Sequence, residues 1–226
     1  MQFKESLKKP GTRIIAEFKR ASPSMGDIDL SADPAERARM YEEGGAAAMS
    51  VLCEGPRFKG SPDDLRKAKA AADIPLLAKD FISTTERLVE VRDAGASAAL
   101  LIVRYLTDEK LKELLDATRS LGMDALVEAH TSDEIRRAVS VGADIVGVNC
   151  RDLETLSVDI SVSERLLKDI PGGIVRVAES GVRTRADVER LAAAGADAFL
   201  IGTSLMTTKD PVSALLSLRN AIRPMT

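Results

Sequence analysis

Apolar residues along this chain follow two rhythms. Short aliphatic and β-branched runs recur, and each is followed by a longer charged segment in which apolar positions return three and four residues apart. The runs read as strands: RIIAEF, AAMSVL, PLLAK, AALLIV, DALVE, DIVGVN, IVRVAE and AFLIG. The segments between and after them read as helices: DPAERARMYEEGG, SPDDLRKAKAAAD, TTERLVEVRDAGA, TDEKLKELLDATRSLG, TSDEIRRAVSVGA, SVSERLLKDI, TRADVERLAAAGA and DPVSALLSLRNAI. Most open on Ser, Thr or Asp, which cap helix N-termini. Several close at a glycine able to take positive φ, as in AGA at 94–96 and 194–196 and VGA at 141–143.

Strands that are apolar throughout are buried on both faces. Eight of them alternating with eight helices predict an α/β protein, a (β/α)8 TIM barrel forming a single domain over 1–226 with a short N-terminal extension. An open doubly wound sheet that binds a dinucleotide would carry G-x-G-x-x-G after its first strand. That position reads EFKRASPSMG, which counts against a nicotinamide enzyme.

Composition narrows the class of partner. The chain has 226 residues, 45% hydrophobic and only 3% aromatic, which suits one aliphatic core. With 32 Lys+Arg against 35 Asp+Glu the net charge is -3, so no overall field draws nucleic acid or an anionic membrane, and an anionic ligand must be bound locally. The N-terminal MQFKESLKKPG lacks the apolar core of a signal peptide, and no apolar run approaches the roughly 20 residues that span a bilayer. A soluble, cytoplasmic monomer is the expectation. Cys53 and Cys150 are far apart with no C-x-x-C spacing and His130 is the single histidine, so neither a disulfide nor a metal site is expected. Both thiols read as small buried side chains.

In such a barrel the C-terminal strand ends face the mouth, so a charge ending an apolar strand sits where chemistry would be done. The first run ends on Glu17 and Lys19, two residues apart on one face. The others end on Glu54, Lys79 with Asp80, Arg104, Glu128 with His130, Asn149 with Arg151, Glu179 with Ser180, and Gly202 with Thr203 and Ser204. One alone would read as a solvated charge or a structural ion pair. Their convergence from separate strands points to a site.

The motifs EFKRASPS, VLCE with FKGSPDDL, AKDFI, ALLIV, LVEAH, VGVNCRDL, VAESGV and LIGTSLM, in that order, resemble the motif series of the indole-3-glycerol phosphate synthase family, indole-forming enzymes of tryptophan biosynthesis. The resemblance implies ring closure on 1-(2-carboxyphenylamino)-1-deoxyribulose 5-phosphate, then loss of carbon dioxide and water, by a carboxy-lyase with no cofactor. It implies Lys79 as the cation and proton donor at the ketone oxygen, where ring closure develops negative charge. An ammonium pKa lowered by the apolar flank Leu76, Leu77, Ala78 and Phe81 is expected there, with Asp80 diverging by strand alternation. A structural pair with Asp80 or Glu128 is the alternative. By the same resemblance Glu128 is the base. Lys19 binds the departing carboxylate or serves as second acid, with Glu17 or Glu54 holding or deprotonating it.

Asn149 is expected near the sugar hydroxyls, Arg151 as a brace for carboxylates, and Glu179 in contact with substrate or a catalytic lysine. Phe58, Phe81, Leu100, Leu153 and Leu200 would wall the aromatic ring, although the leucines fit barrel core equally well. The phosphate is expected at the loops after strands seven and eight, on Ser180, Gly181, Gly202 and Thr203, with Ser22 adding a hydroxyl. Some features depart from the family pattern. Its usual N-terminal extension carries a helix that helps cover the mouth, whereas only residues 1–12 precede Arg13. Met25 stands where many relatives have a basic residue, Ala78 replaces a larger or charged neighbour of the lysine, and Cys53, Cys150 and Thr203 occupy positions often held by Thr, Asn or Ser, and Ser. Phosphoribosylanthranilate isomerase would call for a cysteine base at the end of strand one, and the tryptophan synthase α subunit for a different acid pair without KDF. A ligand-sensing scaffold would have little need of Lys79, Glu128 and Lys19 together.

Overall fold

The computed structural model describes residues 2–152 and 155–221. Eight parallel strands close into a barrel: β1 (Arg13–Phe18), β2 (Ala48–Leu52), β3 (Leu76–Lys79), β4 (Ala98–Ile102), β5 (Asp124–Ala129), β6 (Ile145–Asn149), β7 (Val175–Glu179) and β8 (Ala198–Ile201). Each pairs with its neighbours in the chain, and β8 returns to β1 with Arg13 opposite Ala198 and Ala16 opposite Ile201. The (β/α)8 expectation is met. The helices are α1 (Gln2–Lys8), α2 (Pro34–Glu43), α3 (Pro62–Ala71), α4 (Thr85–Asp93), α5 (Asp108–Ser120), α6 (Ser132–Ser140), α7 (Ile160–Leu166), α8 (Arg185–Ala193), α9 (Thr203–Thr207) and α10 (Pro211–Arg219).

The expected start signals act as caps. Asp33, Ser61, Thr84, Thr107, Thr131, Asp159, Thr184 and Asp210 each accept a first-turn backbone N–H, so each loop-to-helix joint is fixed by its own sequence. Gly95 and Gly195, at φ +102° and +104°, turn α4 and α8 into the next strand in a conformation that side chains resist. Strand ends differ from the apolar runs by a residue. AFLIG stops at Ile201 because Gly202 caps α9, and AALLIV stops at Ile102 because Val103 enters a 3-10 turn.

Strand alternation splits the apolar residues between two cores. Ile14, Ala16 and Phe18 of β1 join Met49, Val51, Leu76 and Ala78 in the layer between barrel and helices. Ile15, Ala48, Leu77, Leu100, Leu126, Val177 and Leu200 fill the barrel itself. That double burial is why the strands read as continuous rather than alternating.

Several short elements were not legible as pattern, α9 among them. A two-residue hairpin, Ala21–Ser22 with Gly26–Asp27, folds the loop after β1. Helix α1 occupies the short segment before Arg13, from which the sequence reading drew no helix. Phe3 and Leu7 are buried within the inner core, the Lys4 backbone N–H donates to Asp124 Oδ2 at 2.9 Å, and Lys4 Nζ pairs with Asp144 at 2.7 Å. Asp124 opens β5 and Asp144 precedes β6. The helix therefore seals the N-terminal end of the barrel, opposite the mouth.

Candidate active site

Alternation carries the inward face of each strand from apolar to polar near its C-terminal end. β1 runs from Ile15 to Glu17, β3 from Leu77 to Lys79, β5 from Leu126 to Glu128, and β7 from Val177 to Glu179. These groups floor a cavity of about 1040 Å³ at the barrel mouth. The same cavity is lined by Lys19, Ser22, Phe58, Phe81, Leu100, Asn149, Arg151, Ser180, Gly181, Leu200, Gly202 and Thr203, so sixteen of the expected residues converge on it.

Lys79 is at its centre. Its Nζ donates to Glu179 Oε2 at 2.6 Å and to Glu128 Oε2 at 3.1 Å, and the lysine side chain is only 14% exposed. Burial alone would lower the ammonium pKa, but Glu179, Glu128 and Glu17 outweigh it and hold it above its ordinary value. The expected depression is thus reversed: the apolar flank is present, but the carboxylates opposite it dominate. Asp80 diverges as alternation requires, accepting from the Phe81 N–H at 2.8 Å and from Arg87 Nε at 2.7 Å.

The two carboxyls are unlike. Burial and the charge of Glu128 push Glu179 up to about 7, against the pull of Lys79. Its Oε1 has no hydrogen-bond partner among the described residues. Gly147 makes room for that oxygen, because a Cβ there would overlap it. Glu128 is buried too, yet Lys79 and His130 hold it below the usual carboxylate range. Asn149 Nδ2 donates to its Oε1 at 3.2 Å.

On the β1 side Lys19 Nζ lies 2.7 Å from Glu17 Oε1, and Gly202 leaves the space the pair occupies. The Tyr41 hydroxyl donates to the Glu17 carbonyl at 3.1 Å, and Arg20 grips Asp64 of α3 at 2.6 and 2.9 Å. The first contact holds the end of β1 and the second the loop that carries Lys19. Glu54 does not line the cavity. It caps the following turn, accepting from the Arg57 and Phe58 N–H groups at 2.7 and 3.0 Å.

Leu100 and Leu200 form an apolar floor, while Phe58 and Phe81 rise along the wall. The Arg57 guanidinium sits 4.4 Å over the Phe81 ring, whose edge meets Tyr105 with centroids 5.7 Å apart. Arg151 Nη1 donates to the Leu156 carbonyl at 2.9 Å and so ties its own loop. Leu153 lies outside the described residues. After β7, Ser180 and Gly181 both take left-handed backbone, φ 65° and 77°, and after β8 Gly202 leads into α9. Such turns bring backbone N–H groups into a concavity suited to an anion.

The sequence reading missed Arg57, Tyr105, Val158 and Arg183 on the lining. Arg57, Val158 and Arg183 sit in loops and Tyr105 ends a 3-10 turn, none of them with a periodic pattern. Only the proximity of Arg57 to Phe58 was a usable signal.

Comparisons with known proteins accord with this geometry. The family model described as indole-3-glycerol phosphate synthase matches residues 1–218. The indole-3-glycerol phosphate synthase of Mycobacteroides abscessus is 50% identical over 216 residues, 96% of this chain and 79% of its own length. That of Mycolicibacterium vanbaalenii is 51% identical over the same shares. Among solved structures, thiamine phosphate pyrophosphorylase from Pyrococcus furiosus has a TM-score of 0.66 at 17% identity over 96% of both chains. N-acetylmannosamine-6-phosphate 2-epimerase from Clostridium perfringens has 0.68 at 18% over 90% of both. At those identities the likeness is one of fold alone. The family match over nearly the whole chain, with two relatives at half identity, shows that this chain belongs to the indole-3-glycerol phosphate synthase family of carboxy-lyases.

Proposed function

We propose that Lys79, Glu128 and Glu179 are the proton-transfer groups with which this chain converts 1-(2-carboxyphenylamino)-1-deoxyribulose 5-phosphate to indole-3-glycerol phosphate. The observation that carries the reading is the single lysine held between two buried carboxyls, 2.6 and 3.1 Å away, on the floor of a mouth with apolar walls. Ring closure moves an electron pair from the aromatic carbon into the carbonyl and leaves charge on its oxygen. Lys79 supplies the cation and the proton there. Its raised pKa keeps it protonated before the reaction begins. Glu179, near 7 and hydrogen-bonded to the lysine, is suited to return that proton.

Loss of carbon dioxide leaves its electron pair in the new ring, and loss of water with removal of a ring proton completes the indole. Glu128, an ionised carboxylate, is the acceptor in that stage. Lys19 with Glu17 holds the departing carboxylate. Asn149 and Arg151 orient the substrate's polar groups. Phe58, Phe81, Leu100 and Leu200 enclose the aromatic ring. The phosphate sits against Ser180, Gly181, Gly202 and Thr203, with Ser22 across from them.

The chain acts as one domain over 1–226, in the cytoplasm and as a monomer. Two buried free thiols, Cys53 and Cys150, suit a reducing compartment, and a closed barrel leaves no strand edge of its own to pair. Among the described residues no helix is long and apolar enough to cross a membrane. Incubation with the carboxyphenylamino deoxyribulose phosphate should yield indole-glycerol phosphate fluorescence that is lost in Lys79→Ala. Saturable binding without turnover in the wild type would overturn the reading.

A further inference from the structure

His130 is the single histidine of the chain and lies just beyond β5, outside the lining of the cavity. Its side chain is 7% exposed and sits between two carboxylates. On one side Nε2 is 3.3 Å from Glu128 Oε1, an ion-pair contact that makes no aligned hydrogen bond. On the other, Nδ1 is 3.3 Å from Glu134 Oε2, and the same oxygen accepts the His130 backbone N–H at 2.7 Å. Glu134 is in the first turn of α6, where Thr131 caps it, so the clamp is built on a rigid helix start.

A neutral imidazole carries one N–H and one lone pair, and either tautomer would aim the lone pair at a carboxylate oxygen. Only the imidazolium suits both neighbours. The charge accounting on the site side agrees. Lys79 alone is shared between Glu128 and Glu179, so one cation faces two buried carboxyls. Glu128 Oε2 takes Lys79, while among the described residues its Oε1 has the neutral Asn149 amide and His130.

We propose that His130 is a positioning residue for Glu128, an imidazolium clamped by Glu134 that keeps the carboxylate ionised and its plane fixed for proton acceptance. The groups that bear on it are Glu128 of β5 and Glu134 of α6 directly. Beyond Glu128 lie Lys79 of β3, Asn149 of β6 and Glu179 of β7, and beyond Glu134 lies the charge of Arg104. Burial lowers the imidazole pKa, but the two carboxylates outweigh it and hold it up at about 9. The catalytic part of the inference rests on the role given above to Glu128; the ion-pair geometry does not.

A single histidine gives a single, unambiguous imidazole NMR titration. In the wild-type chain its midpoint should lie near 9, and Glu134→Gln should lower it by about one unit or more through loss of the clamp's charge. His130→Gln, which keeps a polar side chain of similar reach, should reduce kcat by roughly tenfold with KM within about twofold. It should also move the acid limb of the kcat profile to higher pH, because Glu128 has lost a cation. A histidine titrating near 6.5 and indifferent to Glu134→Gln would overturn the clamp. A His130→Gln enzyme whose acid limb coincides with wild type would overturn the positioning role. A wild type with the expected titration but no turnover would overturn the reaction and the role within it, while the ion-pair geometry stood.

Discussion

Lys79 donates to Glu179 across the full width of the barrel, from β3 to the opposite strand β7, over 2.6 Å. Each residue's charge bears on the other's protonation: Glu179 raises the lysine pKa, and Lys79 pulls the carboxyl down against its burial. Replacing Lys79 by Ala removes the proposed proton donor and leaves two buried carboxyls without their shared cation. Turnover should fall by about 10²–10⁴-fold while substrate still binds. Steady-state kinetics with direct binding measurements would test this, and turnover within tenfold of wild type would move the acid elsewhere, first to Lys19.

Stability should depend on pH through the same cluster. Glu179, raised from 4.5 to about 7, binds its proton more tightly folded than unfolded. Its contribution is therefore fully present below 4.5 and lost as pH rises through about 7. His130, raised from 6.5 to about 9, adds a second fall between those values. Glu128 has the opposite sign: its contribution is present above 4.5 and lost only in acid. Urea midpoints should decline from pH 5 to 8, and Glu179→Gln should flatten the lower half of that decline. An unchanged slope in the mutant would locate the titration in another group.

Two glycines on the inner face hold space for carboxylates. A Cβ at Gly147 would overlap Glu179 Oε1, and one at Gly202 would overlap Glu17 Oε1. Gly147→Ala should cost about 1–3 kcal/mol by overpacking and lower kcat through displacement of Glu179 from Lys79. Gly202→Ala should act instead through the Glu17–Lys19 pair. Thermal unfolding with kinetics separates the two effects, and wild-type kcat in Gly147→Ala would show that Glu179 need not occupy its present position.

Helix α1 bears on stability rather than chemistry. Phe3 is fully buried in the inner core at the end of the barrel away from the cavity. Phe3→Ala should cost about 3–5 kcal/mol by the void it leaves, with kcat and KM near wild type at temperatures where the barrel is folded. A large kinetic change without a stability change would mean that the seal communicates with the mouth.

The barrel was legible because its information is local. Doubly buried strands read as apolar runs, Thr84, Thr131 and Thr184 announce their helices, and Gly95 and Gly195 turn the chain where only positive φ will serve. Position at the strand ends, with the family resemblance, also placed Glu17, Lys79, Glu128 and Glu179 at the mouth, and alternation separated Asp80 from Lys79, its carboxylate engaged by the Phe81 N–H and Arg87. Glu54 escaped this reasoning because it lies past its strand, where a turn rather than a pleat aims the side chain.

Which of the inward groups meet was a different matter. Lys79 and Glu179 are 100 positions apart, and their approach depends on strands four places apart in a closed cylinder. The sign of the Lys79 shift follows from that approach: an apolar flank written in the sequence lowers the pKa, while carboxylates brought in from β5 and β7 raise it more. The seal made by α1 likewise needs Asp124 and Asp144 gathered at one end of the barrel. The sequence by itself determined the strands, the caps and the inward set, since these need only short-range sterics and burial period. Tertiary structure decided partners and protonation, since Coulomb interactions depend on distances that exist only once the barrel closes.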